Sequence, residues 1–329
     1  MWHYILDPYE SGYYNYRYQP YDQMDHSGNG GYYKNLKQKD KSDLIEYNFD
    51  KSPAINVPGD WNTQDPKLLY YEGTIWYKKS FDYKKDDNNN RIFIYFGAAN
   101  YQAEVYLNGL KLGTHIGGFT PFNFEITDKI KEADNFVVVK VDNKRKREAV
   151  PTRNTNWWNY GGRTRDVKII EVPETFIRDY FIQLKKDSKD VLSGYVQLDG
   201  SNVNNAKVEI HIPEAGIKHV AETDEKGNAE VEIKTDNLIL WSPDNPKLYD
   251  ISVRIETDIV NEIIGFRNIS TQGPEILLNG QPVFLKGISI HEENVIRGNR
   301  AYSEDDARMI LGWVNELGGN FARPAHYPH

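Results

Sequence analysis

Residues 91–112 read RIFIYFGAANYQAEVYLNGLKL. The stretch opens with a run of β-branched and aromatic residues that Gly97 ends, and continues with an alternating run over 103–107 that returns through 110–112. Asn108 and Gly109 lie between the outgoing and returning halves, and both positions of a two-residue hairpin turn need the positive φ that these residues tolerate. This stretch therefore predicts short antiparallel strands joined by tight turns.

The same pattern extends in both directions and predicts a mostly β chain. Further β-branched runs, over 136–141 and 167–170, favour an antiparallel sandwich in residues 1–175. A second set of strands follows in residues 176–272, with regular turn spacing over about a hundred residues, which is typical of an immunoglobulin-like sandwich.

The character of the sequence changes in residues 273–329. Asn279-Gly280 predicts another hairpin, residues 286–291 read as a buried strand, and Ser303 with Asp306 marks a helix start ahead of an apolar face that ends near Gly318. A strand follows at 320–323. Strand, helix and strand indicate a parallel βαβ unit, the repeat of a barrel or of a doubly wound sheet, and this segment has about a fifth of the ~250 residues of a complete (β/α)₈ barrel.

Composition excludes several functional classes. The 329 residues carry a net charge of −8 with basic residues scattered among acidic ones, so we expect no nucleic-acid partner. No apolar run approaches the ~18 residues of a membrane helix, so we expect a soluble chain. Without cysteine, redox usage does not indicate the compartment. A longer protein that began with a signal peptide would be periplasmic or secreted, so export stays open. Aromatic residues, 13% of the chain, suit both sheet packing and stacking on sugar faces.

Polar residues that could carry chemistry follow the two strands of the βαβ unit. His291 and Glu292 follow the first strand, and Arg323 and His326 lie at or after the second, where barrel enzymes build their sites. The alternative is that they are solvated loop residues or local ion pairs. His291 with Glu292, and His326 with His329, lack a recognised metal-ligand spacing, so we predict neither a catalytic metal nor a cofactor.

Several motifs resemble glycoside hydrolase family two, which includes β-galactosidases, β-glucuronidases and β-mannosidases. Three of them occur in order near the end of the chain: NGQPVFLKG at 279–287, HE at 291–292 and ARPAHYP at 322–328. The resemblance also covers most of the preceding sequence, through GGFTPF at 117–122, NYGGRTRDV at 159–167 and LWSPDNPKLY at 240–249.

The resemblance implies a jelly-roll sugar-binding domain, an immunoglobulin-like sandwich and the start of a (β/α)₈ barrel. It implies that Arg323 holds a nucleophilic carboxylate ionised, that His326 reaches a substrate hydroxyl, and that His291 lines the glycone pocket while Glu292 orients its neighbours. Asn156 stands where the family often has an Asp that bonds a sugar hydroxyl, so its role as a specificity residue is open.

The implied activity is retaining hydrolysis of terminal β-linked sugars by an exo-acting enzyme. Family members take the acid/base and nucleophile Glu residues from later barrel strands, so we expect no catalytic residue within residues 1–329 and no activity from this chain alone. The motifs at 117–122 and 291–298 look more like β-glucuronidases than β-galactosidases. The resemblance implies a carbohydrate substrate and is compatible with a homo-oligomer.

Two hypotheses from other classes compete with the enzyme. A non-catalytic carbohydrate-binding module would also use a jelly roll, but it has no need of a βαβ unit. A structural scaffold would be favoured by coiled-coil heptads or a long apolar stripe, and we find neither in the sequence.

Overall fold

The structure, a computed structural model, describes residues 1–13, 31–37, 47–150, 152–154, 158–236 and 238–324. Within these ranges the chain is mostly β, with one α-helix, α1 (Glu304–Glu316). No helix in the described ranges is long and apolar enough to cross a membrane. Short 3-10 helices lie at Ser11–Tyr13, Tyr32–Lys34, Phe49–Lys51, Pro66–Leu68 and Pro213–Ala215.

The first part of the chain is an antiparallel β-sandwich. A sheet in the order β2-β1-β4-β9-β6-β7 faces a sheet in the order β11-β5-β8, and β3 pairs with β10. Its apolar core includes fully buried residues such as Trp61, Phe96 and Val139. The strands are β1 (Trp2–Leu6), β2 (Ala54–Ile55), β3 (Gly59–Asp60), β4 (Thr74–Phe81), β5 (Arg91–Phe96), β6 (Gln102–Leu107), β7 (Leu110–Ile116), β8 (Phe122–Glu125), β9 (Asn135–Asp142), β10 (Gly162–Arg163) and β11 (Val167–Val172).

The hairpin predicted from the Asn-Gly signal is confirmed. β6 and β7 pair antiparallel around Asn108 and Gly109, whose φ angles are 51° and 81°. The Asn108 side chain also accepts a hydrogen bond from the backbone of Phe136 at 3.0 Å, so the turn is held against β9. The turn conformation thus follows from the two turn residues themselves, and the hydrogen bond to the Asn108 side chain fixes where the turn lies in the sheet.

A second antiparallel sandwich follows. A sheet in the order β12-β13-β16 packs on a sheet in the order β15-β14-β17-β18, and the apolar residues between them include the fully buried Leu192, Ile210 and Val253. Seven strands in sheets of three and four match an immunoglobulin-like sandwich. They are β12 (Phe176–Leu184), β13 (Val191–Asp199), β14 (Lys207–Ile212), β15 (Ile217–Glu222), β16 (Asn228–Lys234), β17 (Tyr249–Arg254) and β18 (Ile259–Ile264).

Arg91 joins the two sandwiches. Its guanidinium bonds Asp199 of β13 at 2.7 Å and Glu125 of β8 at 2.8 Å. The same group lies 5.4 Å from the ring of Phe93 and 5.3 Å from the ring of Phe176, one on each sandwich. A planar cation that bonds two carboxylates and contacts two aromatic faces fixes the contact more firmly than a single exposed ion pair would.

The last part of the chain contains the predicted strand–helix–strand unit. β22 and β25 pair in parallel with α1 between them in the chain. The expectation that the first of these strands is buried is wrong: Ile288 is 44% exposed, because the described part of this sheet has only two strands. The strands of this part are β19 (Ile269–Gln272), β20 (Glu275–Leu278), β21 (Gln281–Pro282), β22 (Gly287–Ile290), β23 (Glu293–Asn294), β24 (Asn299–Arg300) and β25 (Phe321–Pro324).

The helix begins where the capping signal predicted. The Ser303 hydroxyl accepts a hydrogen bond from the Asp306 backbone, and the Asp306 carboxylate accepts one from the Ser303 backbone, so a complete capping box is present. The predicted apolar face is only partly covered. Val314 is 5% exposed, whereas Leu317, after the last helical residue, is 77% exposed.

Candidate functional site

The parallel pair of strands presents Arg323 and Ser289 side by side on one face. They are register partners in β25 and β22, and an Nη1 of Arg323 donates to the Ser289 hydroxyl at 3.4 Å. Both residues are exposed. Since successive side chains of a strand point to opposite faces, Ala322 and Pro324 point the other way, toward α1. Arg323 is therefore a cation on the open face of the two-stranded sheet.

The carboxyl ends of these strands meet at one edge, and His291 lies directly after β22 at that edge. His291 is half-buried, and its backbone carbonyl accepts a hydrogen bond from the backbone of Glu293 at 2.8 Å. Asn156 and His326, the other residues predicted for this site, lie outside the described residues. Of the five predicted site residues, His291, Glu292 and Arg323 are thus described, within the same short unit.

Glu292 is held by arginines from two parts of the chain. Arg165, just before β11 of the first sandwich, donates to one carboxylate oxygen at 2.7 Å. Arg300 of β24 donates twice to the other oxygen, at 2.9 Å and 2.5 Å. Both oxygens of Glu292 therefore accept from guanidinium groups, and the residue ties the βαβ unit to the first sandwich.

Phe119 completes this contact from the first sandwich. Its backbone carbonyl accepts a hydrogen bond from Arg165 at 3.1 Å, and the guanidinium of Arg300 lies 4.4 Å from the centre of its ring. Phe119 is 4% exposed. We call Phe119, Arg165, Glu292 and Arg300 the arginine clasp. It places residues of two motifs, 117–122 and 159–167, at the contact between the first sandwich and the βαβ unit.

The clasp keeps Glu292 ionised. Burial by itself would raise the pKa of the Glu292 carboxyl, but the charges of Arg300 and Arg165, with their hydrogen bonds, lower the pKa below its ordinary value. The side chain is 21% exposed, so the charges are only partly screened. An ionised carboxylate whose two oxygens both accept hydrogen bonds from arginines is suited to holding neighbouring residues in place rather than to transferring a proton.

A second carboxylate fixes the loop that carries the clasp. Asp306, 2% exposed, accepts from the Asn294 side chain at 2.7 Å and from Arg297 at 2.6 Å and 2.8 Å. The Arg297 hydrogen bonds lower the pKa of Asp306 well below its ordinary value, against the opposing effect of burial. The helix cap thus also anchors the β23–β24 hairpin, and the hairpin carries Arg300.

A cavity of about 540 Å³ lies on the helix side of the sheet. Ala322 and Pro324 line it and Arg323 does not, so the cavity and the open face with Arg323 are on opposite sides of the sheet. Residues of α1 such as Ile310 and Leu311 also line it, as do Glu292 and Arg165. Of the described candidate residues, His291 and Glu292 line this cavity, whereas Arg323 does not.

Three clasp residues, Phe119, Arg165 and Arg300, were not predicted as functional from the sequence. Phe119 and Arg165 lie within motifs that carry the family resemblance, but a motif does not indicate which distant carboxylate its arginine contacts. In the described ranges, no group of three or more His, Asp and Glu side chains is arranged to hold a metal ion.

Comparison with known families gives two matches that follow one another along the chain. Residues 31–173 match the family model described as glycosyl hydrolases family 2, sugar binding domain. Residues 175–267 match the model described as glycosyl hydrolases family 2. The first match contains Phe119 and Arg165 of the clasp.

Individual relatives are glycosidases that are longer than this chain. A β-galactosidase of Thermoanaerobacter pseudethanolicus is 29% identical over 88% of this chain and 42% of its own length. A β-glucuronidase of Streptococcus agalactiae is 28% identical over 79% of this chain and 46% of its own length. A solved structure of β-glucuronidase from Ruminococcus gnavus in complex with D-glucuronic acid has a TM-score of 0.79 and 26% identity, over 100% of this chain and 55% of that one. The chain thus spans between 42% and 55% of the length of these three proteins.

Proposed function

This chain belongs to glycosyl hydrolases family 2, and from that premise we propose that it supplies the two sandwich domains and one wall of the glycone pocket of a retaining β-glycosidase. The observation that carries the proposal is the order of the parts. Two adjoining family matches are followed, after the three-stranded sheet of β19, β20 and β21, by a parallel strand–helix–strand unit whose open face carries Arg323. A binding module composed of sandwiches alone would not need that unit.

In this proposal the unit is the opening of a (β/α)₈ barrel. Exposed apolar side chains on the unit support this, because the next elements of a barrel would cover them. They are Ile288, Leu311, Leu317 and Phe321, which are between 42% and 77% exposed. The expected domain limits, 1–175, 176–272 and 273–329, belong to the same proposal.

The proposed reaction is double displacement with retention. One carboxylic acid protonates the leaving oxygen, and a second carboxylate about 5–5.5 Å away attacks the anomeric carbon; water then releases the sugar. Arg323 would lie beneath the nucleophilic carboxylate and lower its pKa. His291, and in the same proposal His326 and Asn156, would contact the sugar. Glu292 would keep the loop of His291 in place through the arginine clasp.

We propose that the acid/base and nucleophile carboxylates belong to later barrel strands, as the greater length of the relatives allows. The purified 329-residue chain should then not hydrolyse aryl β-glycosides. Turnover that is lost on substituting a carboxylate within the chain, for example Glu293→Gln, would refute this assignment.

On the glycone we propose a β-glucuronide, with a β-galactoside as the alternative. One similar solved structure is a β-glucuronidase in complex with D-glucuronic acid, while the curated relatives include both activities. An aryl-glycoside panel, tested on the longer enzyme of which this chain would form a part, decides between them. Preference for a galactoside over a glucuronide would overturn the choice of glucuronide and leave the glycosidase class intact.

A further inference from the structure

Arg163 of β10 is a buried cation inside the first sandwich. The side chain is fully buried, and none of its three guanidinium nitrogens meets a hydrogen-bond acceptor among the described residues. The hydroxyl of Tyr77, also fully buried, has no partner in the described ranges either. Burying a polar group without a partner is costly, and burying a charge without a counterion is more so. These donors therefore require an acceptor that the described part of the chain does not supply.

Within the described ranges, the buried side-chain atoms that have no hydrogen-bond partner are concentrated around β10. Besides those of Arg163 and Tyr77, they are the amide oxygen of Asn100 and the hydroxyl of Thr164. Asn100 forms an isolated bridge with Gly162, and Thr164 follows Arg163 in the chain. A side chain at Gly162 would begin 3.1 Å from the Tyr77 hydroxyl, so the glycine leaves this hydroxyl uncovered on that side. The groups without partners thus mark one place in the sandwich.

Two aromatic rings fix the direction in which Arg163 can donate. The central carbon of its guanidinium lies 3.4 Å from the centre of the Trp2 ring and 4.2 Å from the centre of the Tyr77 ring. The first distance is van der Waals contact, so the guanidinium lies nearly parallel to the Trp2 ring; an edge-on approach would push its nitrogens into the ring. Its N–H groups therefore point past the ring edges, which carry partial positive charge. An acceptor there is surrounded by positive potential, which favours an anion.

The charge of Arg163 has no counterion among the described carboxylates, since none accepts a hydrogen bond from it. Arg91 and Arg165, by contrast, each form an ion pair with a carboxylate. Burial lowers the pKa of Arg163 to about 9, so the guanidinium is still charged at neutral pH. A water molecule could accept a hydrogen bond from it but would leave the charge uncompensated. An anion would satisfy the donors and balance the charge together.

We propose that Arg163 and Tyr77 bind a small monatomic anion of the size of chloride inside the first sandwich. The guanidinium and the phenol hydroxyl donate to it, and the rings of Trp2 and Tyr77 shield it from water. An organic carboxylate or phosphate would need an opening for the rest of the molecule, and Arg163 is 0% exposed. The ion would join β1, β4 and β10, the strands of these three residues. The inference is independent of the proposed function, because none of the three is assigned to the glycone pocket.

The test follows hydrogen exchange of the β1 and β4 amides in the 329-residue chain while sodium chloride replaces sodium gluconate at constant ionic strength. An ion that binds only the folded sandwich should raise the protection factors about tenfold for each tenfold rise in chloride above its dissociation constant. Sodium bromide should act in the same way. Arg163→Met removes the site; the variant should fold without halide at least as stably as the parent, and its protection should not respond to chloride. Tyr77→Phe keeps the ring, loses one donor and should need more chloride for the same effect.

Arg267→Met is the matched control, because Arg267 is an exposed arginine that lies 5.4 Å from the ring of Trp241, and this variant should keep the full chloride response. An equal response in Arg163→Met would put the ion elsewhere and overturn the proposal. So would the absence of any response in the parent chain, the result expected if water meets the donors. In crystals grown in sodium bromide, anomalous scattering from an ion within hydrogen-bond distance of Arg163 and Tyr77 would support the site, whereas bromide confined to the surface would reject it.

Discussion

Arg165 and Glu292 are 127 positions apart in the sequence, yet a guanidinium nitrogen of one lies 2.7 Å from a carboxylate oxygen of the other. The pair connects the first sandwich to the start of the βαβ unit. The Glu292 carboxylate therefore ties the βαβ unit to the first sandwich. In the proposed function it acts on the sugar site only by holding His291, the preceding residue, in place.

Glu292→Gln should loosen the attachment of the βαβ unit. The change leaves Arg165 and Arg300 facing a neutral amide, and at this mostly buried position the loss should be about 2–3 kcal/mol in the free energy of local opening. Hydrogen exchange of the β22 and β25 amides measures it. Arg308→Gln, which breaks an exposed pair with Glu304, is the control and should change little. Unchanged protection in Glu292→Gln would mean that the clasp does not hold the unit.

The contribution of Glu292 should depend on pH. Its pKa is lower in the folded chain than in the unfolded chain, so the stabilisation is fully present above the unfolded pKa of about 4.3 and disappears as pH falls through the folded value. The difference in opening free energy between the parent and Glu292→Gln, followed from neutral to acidic pH, should shrink. A difference that stayed constant down to the acid-unfolded state would contradict the assigned charge.

Asp306→Ala should destabilise both α1 and the preceding hairpin. The substitution removes half of the capping box together with the two bonds from Arg297, and we expect a loss of about 2 kcal/mol or more. Exchange protection of the first turn of α1 and of β23–β24 should fall together. Asp305→Ala, at an exposed position of the same turn, provides the comparison. A loss confined to the helix would show that the hairpin is held by other contacts.

The Arg163→Met variant should be at least as stable against unfolding as the parent chain. Arg163 is fully buried between the rings of Trp2 and Tyr77, 3.4 Å and 4.2 Å from their centres, and its guanidinium has no hydrogen-bond partner in the described part of the chain. Burial lowers the pKa of Arg163 to about 9, an effect that Tyr77 opposes. An apolar side chain should therefore raise the free energy of unfolding by about 1–3 kcal/mol in urea titrations.

The Arg163→Lys variant separates the effect of the positive charge at this position from the effect of stacking on the aromatic rings. Lysine retains the charge but loses the planar group that stacks on the rings, so it should be less stable than the parent. If Arg163→Met were the less stable of the two variants, the attraction between a positive charge and the rings of Trp2 and Tyr77 would outweigh the cost of burying that charge.

Local chemistry explains how much of the fold could be predicted. The Asn108-Gly109 turn and the Ser303–Asp306 cap depend on neighbouring residues, and both were found where the sequence indicated. The burial of β22 was predicted wrongly, because an apolar run reads the same whether or not later strands cover it. The clasp could not be predicted, since nothing local to Arg165 identifies Glu292 as its partner.

The contact of Arg91 with Asp199 has a consequence for how this architecture can change over evolution. Between Arg165 and Glu292 the chain runs through the entire second sandwich. Arg91 of the first sandwich holds the nearer end of the second sandwich through its ion pair with Asp199 on β13. The second sandwich therefore acts as a spacer of set length that returns the polypeptide to its starting surface. Loops at its far end can lengthen freely, whereas an insertion that shifted the strand of Asp199 would draw Glu292 away from its arginines.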